Sequence, residues 1–303
     1  MDFDDIRIFF SVVEHRNLSA AANALRISQP TLSRRVRALE AEFDSPLFIR
    51  NPRGMAPTEA GERLHSGLQG LERQFKVLKE EVASTLTDPT GEVAFGIPPS
   101  PRSLLAVPLL TRYVNRFPFV RMRVIEDTSG ALRDLVANGS LDLAVTNFNE
   151  PLEGVATEPI GKEQMLLIGP KDADLSLSKK TALDQLTRLP LILTRRPNSL
   201  RLAVDTGASV RGQTLNVRLE VDTLPLMTDL VIAGLGYTVL PMSGVRDLLA
   251  QGKVTASPIA DMSITWLIAR RKEYQLSLAA RRFYETILDV SQEKVSEGIW
   301  QQA

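Results

Sequence analysis

The first apolar positions, Phe3, Ile6, Phe10 and Val13, recur at spacings of three, four and three and predict a helix over about residues 4–14. Ala21, Ala22 and Leu25 then share one face of a short Ala-rich helix that Ser19 can cap. The pattern breaks at Ile27-Ser28. A third helix follows, with Ser28 or Gln29 as its cap and Pro30 in a first turn where a missing N–H is not needed. Leu32, Val36, Leu39 and Phe43 form its single apolar stripe, which leaves the opposite face to polar residues. Residues 47–57 read as a small hairpin or wing whose turn is Asn51-Pro52-Arg53-Gly54.

From Thr58 a capping pattern opens a long helix, in which Leu64, Leu68, Leu71, Phe75, Leu78 and Val82 follow at alternating spacings of four and three. That is a heptad seam, and such a stripe on an otherwise polar helix needs a partner helix, most simply a second copy of itself. Residues 87–91 break the helix and read as a hinge. Beyond them strands and helices alternate. Strands at 92–97, 120–126 and the nearly all-apolar 141–146, with a helix at 103–117 and another that Ser129 caps and that stops at Gly139, predict a parallel α/β layer. A second series places strands near 164–169, 189–194, 216–221 and 237–240 and helices near 200–211 and 225–233, the last ended by Gly234. A strand at 264–270 and an amphipathic helix at 277–291, with Ala280, Phe283, Ile287 and Val290 inward, complete the pattern.

Composition narrows the function. The 303 residues, 44% of them hydrophobic, suffice for packed cores in about two domains. Cysteine is absent, which removes disulfides, thiol nucleophiles and thiolate-held metals. The acidic start is unlike a secretory signal and no apolar stretch is long enough to cross a membrane, so a cytoplasmic location is expected. His15 and His65 are the only histidines, so the α/β region has none for a Ser-His-Asp or metal site, and neither catalysis nor a metal or cofactor is expected. Gly234-Leu235-Gly236 follows a helix and precedes a strand, the reverse of a dinucleotide fingerprint.

The formal net charge of +0 puts the weight on local fields. On the polar face of the third helix, Ser28, Gln29, Pro30, Thr31, Ser33, Arg34, Arg35 and Arg37 cluster toward the N-terminus, with Arg50 and Arg53 a short loop away. Most of these side chains can hydrogen-bond base edges or phosphates, so double-stranded DNA is the expected partner. The acids near Met1, with Glu40 and Glu42, must then face away from phosphate.

The same residues carry a family resemblance. The run Ser28 to Arg34, with Leu39-Glu40, Pro46 to Arg50, Arg53-Gly54 and Pro57 to Gly61, resembles the winged helix-turn-helix of LysR-type transcriptional regulators, and Gly139 to Ala144 and Ala233 to Pro241 match in the second half. Pro98-Pro99-Ser100, Leu189 to Leu193 and Leu215 to Val217 are similar to the nitrogen assimilation control subgroup. The resemblance implies an α/β protein with an all-α N-terminal part. Residues 1–58 would form the winged helix-turn-helix, 59–90 a linker and dimerisation helix with hinge, and 91–303 a two-lobed effector domain similar to periplasmic solute-binding proteins. Lobe I would take about 91–161 and 268–303, lobe II about 162–267. It also implies a homodimer and, through the regulatory halves, a homotetramer.

A ligand between such lobes belongs beyond the carboxyl ends of the strands. Those ends carry Ser100, Ser103, Thr128, Ser129, Thr146, Asn147, Thr194, Arg195, Arg196 and Thr223. Hydroxyls, an amide and an arginine pair suit a small anion, a carboxylate or nitrogen metabolite. The alternatives are a regulator acting without a co-effector and a solute-binding protein, the latter opposed by the DNA-binding head.

Overall fold

Asp2 begins the first helix with a reciprocal cap: its carboxylate accepts the Asp5 N–H at 2.8 Å, and Asp5 accepts the Asp2 N–H at 3.0 Å. The computed structural model describes residues 1–51, 54–83, 89–148 and 150–303. They fall into two units, Met1–Lys76 with Asn138–Ser140, and Val77–Ala137 with Leu141–Ala303.

The first unit contains α1 (Phe3–His15), α2 (Leu18–Leu25), α3 (Gln29–Glu42), a hairpin of β1 (Phe48–Asn51) and β2 (Gly54–Pro57), and the first turns of α4 (Glu59–Ala83). The cap of α2 is Asn17 and not Ser19, because the Asn17 amide oxygen accepts the N–H groups of both Ser19 (2.8 Å) and Ala20 (3.1 Å). Ser28 caps α3 by accepting the Thr31 N–H. Phe9, Val12, Ala21, Leu32 and Leu39 form the core. Phe43 leaves the expected stripe and is 41% exposed at the C-cap of α3. Leu47 and Phe48 fill the core instead, drawn over by the Glu40 carboxylate, which accepts both of their N–H groups at 3.0 and 3.2 Å. The wing is tied to α1 by the Met55 N–H, which donates to the Arg16 carbonyl at 2.7 Å.

Thr58 caps α4, a helix of 25 residues. Its heptad stripe divides between two tasks. Leu68 is buried in the head's own core and Leu64 packs against that core, whereas Leu71, Phe75 and Leu78 remain 48%, 41% and 55% exposed. The Phe75 ring lies 5.1 Å from that of Phe3. Leu68 therefore corrects the expected seam, since a residue buried inside its own head is not available to a second helix, whereas Leu64 is only half-buried. The Val82 side chain lies outside the described residues.

In the second unit, β3 (Gly91–Ile97), β4 (Val120–Glu126), β5 (Leu143–Thr146), β6 (Val155–Pro170), β9 (Thr238–Pro241) and β10 (Val254–Arg271) form one sheet in the order β4-β3-β5-β10-β6-β9, and β7 (Leu191–Leu193) pairs with β8 (Val217–Glu220). The expected parallel layer of β3, β4 and β5 is present, as one part of a larger mixed sheet. β3 runs parallel to β4 and β5, but β10 is antiparallel to β5 and β6, and β6 is antiparallel to β9. The long pair β6 and β10 meets β5 near the C-terminal end of β10 and β9 toward the C-terminal end of β6. Tyr237 exchanges backbone hydrogen bonds with Pro190 and Ile192 beside β7. Gly236 permits that approach, since a Cβ there would sit 2.4 Å from the Pro190 carbonyl oxygen.

The helices α5 (Val107–Arg116), α6 (Ser129–Ala137), α7 (Leu183–Leu186), α8 (Ser199–Ser209), α9 (Leu224–Ile232), α10 (Arg246–Ala250) and α11 (Leu278–Ser296) surround these strands. The chain enters α5 through a π-helical turn at Arg102–Ala106, which fits Pro108 having no N–H to return to the Leu104 carbonyl. Ala280, Phe283, Ile287 and Val290 of α11 are fully buried, and Phe283 packs edge-on against Phe95 and Tyr113. Thr128, not Ser129, caps α6, with its hydroxyl accepting the Ala131 N–H at 3.3 Å.

Candidate functional site

The polar face of α3 carries two kinds of arginine. Arg35 is engaged with α1: its guanidinium lies 2.6 Å from Asp5 and 3.7 Å from Asp2. Burial would raise the Asp5 carboxyl, but the hydrogen bonds from the Asp2 N–H and Arg35 take it below the usual carboxylate range. Arg35 is thus a brace between helices, a correction to its place among the DNA contacts. Arg34 and Arg37 are exposed and have no ion pair among the described residues. Gln29 and Pro30 are exposed beside them, Thr31 and Ser33 are half-buried, and the Ser28 hydroxyl meets that of Thr31 at 2.7 Å. Glu40 is turned inward by its bonds to Leu47 and Phe48. The result is a locally cationic helix face on a neutral protein. Arg53 and the Arg50 side chain lie outside the described residues.

In the second unit, five of the ten expected effector residues surround one cavity of about 60 Å³: Ser100, Thr128, Ser129, Asn147 and Thr194. Each stands just after a strand; Pro98, Pro99 and Trp266 of β10 also line the cavity, and Asn198, Ser199, Leu200, Asp222, Leu224, Met227 and Leu240 line it from the second series of elements. Asn147 ties the two series together. The Ser129 hydroxyl donates to its Oδ1 at 2.5 Å, as does the Ser199 hydroxyl at 2.7 Å, while the Asn147 N–H donates to Ser129 Oγ at 3.2 Å.

The other five expected residues are elsewhere. Ser103 is exposed on the π-helical turn, whose inward positions go to Leu104, Leu105 and Ala106. Thr146 is fully buried and its hydroxyl accepts the Phe148 N–H at 3.0 Å. Thr223 is exposed at the start of α9, outside the cavity wall. Arg195 pairs with Asp222 at 2.6 Å, and Arg196 pairs with Asp205 at 2.7 Å. The backbone N–H and side chain of Arg195 hold Asp222 below the ordinary carboxylate range. Burial would raise Asp205, but Arg196 and Arg201 bring it lower. Both arginines therefore have their counter-ions within the fold, which removes the reason to expect a bound anion.

Beneath the cavity lies a group that sequence reasoning missed. Glu163 on β6 is 1% exposed and accepts three hydrogen bonds: Ser243 N–H at 2.6 Å, Ser243 Oγ at 3.0 Å and the Trp266 indole N–H at 2.6 Å. Burial pushes its carboxyl up, and the Trp266 and Ser243 hydrogen bonds oppose that shift without cancelling it. Trp266 thus joins the cavity wall to a buried acid. Asp142, inside the Gly139 to Ala144 motif, has a structural role: its carboxylate accepts the Ala94 N–H at 2.8 Å.

Residues 3–62 match the model of the bacterial regulatory helix-turn-helix proteins of the LysR family, and residues 87–292 match the LysR substrate binding domain. Similar proteins include the nitrogen assimilation regulatory protein nac of Klebsiella aerogenes, 29% identical over 96% of this chain and 95% of that protein. The nac protein of Escherichia coli (strain K12) is 28% identical over 98% of this chain and 97% of its own length. Among solved structures, a full-length OxyR variant from Pseudomonas aeruginosa superposes with a TM-score of 0.74 at 22% identity, covering 100% of this chain and 98% of that one. Full-length CbnR in complex with its target DNA gives 0.67 at 20% identity, covering 96% and 100%. With both halves matched in order over nearly the whole length, the chain belongs to the LysR family of DNA-binding transcriptional regulators.

Proposed function

We propose that the chain is a cytoplasmic, homodimeric LysR-type regulator that reads a two-half operator with α3 and couples that binding to a small ligand in the cavity beside Asn147. The observation that carries the DNA reading is the pair of exposed, unbraced guanidinium groups at Arg34 and Arg37, on a helix whose other arginine is held by α1. The exposed Leu71, Phe75 and Leu78 supply an apolar stripe for a second copy of α4, which would present two heads to two half-sites. Arg34→Ala should lose about 1–3 kcal/mol of binding to an operator selected from genomic fragments with the wild-type protein. Arg37→Ala, as a phosphate contact, should weaken operator and random DNA alike and flatten the salt dependence. Titrations at several salt concentrations measure both, and unchanged affinity in both variants overturns the assignment of α3. A second reading, regulation without a co-effector, is favoured by cavity size: about 60 Å³ accommodates only a few water-sized groups.

A further inference from the structure

Five of the polar residues around the cavity, Ser100, Ser129, Asn147, Ser199 and Asp222, can be sorted into donors and acceptors, and that sorting goes beyond the effector reading on which it rests. Ser129 Oγ accepts the Asn147 backbone N–H, so its own hydrogen goes to Asn147 Oδ1, which also takes the Ser199 hydroxyl. With Oδ1 doubly engaged, the Asn147 side chain has only its NH₂ group to offer the cavity that it lines. The Ser100 residue is 6% exposed, lines the same cavity, and its hydroxyl has no hydrogen-bond partner among the described residues. Asp222, the charged residue on the wall, is an acceptor. Each of its oxygens takes one bond from Arg195, at 3.1 and 2.6 Å, and an ionised carboxylate has lone pairs to spare.

From this arrangement we propose that the cavity selects a small uncharged carboxamide over the matching carboxylate. The ligand's carbonyl accepts from Asn147 and Ser100, and its N–H group donates to Asp222. A carboxylate has no N–H to donate, meets the negative charge of Asp222, and finds neither Arg195 nor Arg196 without a counter-ion. Propionamide and propionate carry these groups on the same small apolar arm, suited to a cavity of about 60 Å³.

The test is calorimetry and thermal shift of the full-length chain with propionamide and with sodium propionate at matched ionic strength. The expected result is a Kd for propionamide at least about tenfold below that for propionate, the ratio that corresponds to one well-made hydrogen bond. Asp222→Asn should abolish the preference, because the negative charge that repels propionate is gone and the new side chain carries an NH₂ group that donates to it. Ser100→Ala, a substitution that leaves the Arg195 pair intact, should weaken propionamide. Tighter binding of propionate by the wild type overturns the amide selectivity and leaves the effector reading standing. Binding that is the same in all three proteins places the ligand elsewhere and overturns the assignment to this cavity. Binding of neither compound to the wild type overturns the proposal together with the effector reading, while DNA titrations still report on the regulator.

Discussion

Replacing Glu163 by Gln tests how the second unit tolerates an acid in its interior. The carboxyl is 1% exposed, accepts from Ser243 N–H, Ser243 Oγ and Trp266 N–H, and has no cationic partner among the described residues. Its pKa in the folded chain is raised above 4.5 by burial. Below the unfolded value Glu163 is protonated in both states and its contribution to stability is fully present. As pH rises past that value, the unfolded chain releases the proton while the folded chain holds it. Stability then falls by about 1.4 kcal/mol per pH unit until the folded group ionises as well. Gln removes this titration but has only one acceptor oxygen, so it leaves either Ser243 N–H or the Trp266 indole N–H facing an NH₂ group, at a cost of about 1–3 kcal/mol. The variant should be less stable than the wild type near pH 5, and the gap should close toward neutral pH. The protein's two tryptophans, Trp266 and Trp300, are both buried in this unit, so their fluorescence in urea titrations reports on it alone. A stability difference that is constant with pH, or that widens toward neutral pH, would refute the reasoning.

Arg35→Ala removes a brace between α3 and α1, so it should lower the melting temperature of the head while costing less operator affinity than Arg34→Ala; equal affinity losses in parallel DNA titrations would make Arg35 a direct contact. Within α4, Leu68→Ala should destabilise the head by about 2–5 kcal/mol whatever the protein concentration, because Leu68 is packed in that unit's own core. Leu78→Asp should leave the unfolding of each unit unchanged and halve the sedimenting mass, and a wild-type mass would show that its exposed stripe does not join two copies.

The head was largely legible in the sequence because its determinants are local. Helix periodicity, Ser28 at the cap and Pro30 in the first turn set which face of α3 is inward, and Leu32, Val36 and Leu39 are buried as that period requires. The same holds for α11, where the expected inward residues are fully buried. Local signals located caps less well: Asn17 took the place of Ser19 and Thr128 that of Ser129, since adjacent polar residues compete for the same N–H groups.

What only the tertiary structure decided is which polar groups are already satisfied. Arg35 finds Asp5 across 30 residues, Arg195 finds Asp222 across 27, and Glu163 meets Trp266 across 103. Strand direction belongs to the same class: β6 and β10 are antiparallel through pairs such as Val155 with Arg271, which no spacing within either segment records. Periodicity reports the direction in which a side chain points from its own element. The partner it meets there depends on how distant segments close and pack, and that choice separated the exposed Arg34 and Arg37 from the braced Arg35, and the cavity beside Asn147 from the anion site the arginine pair had suggested.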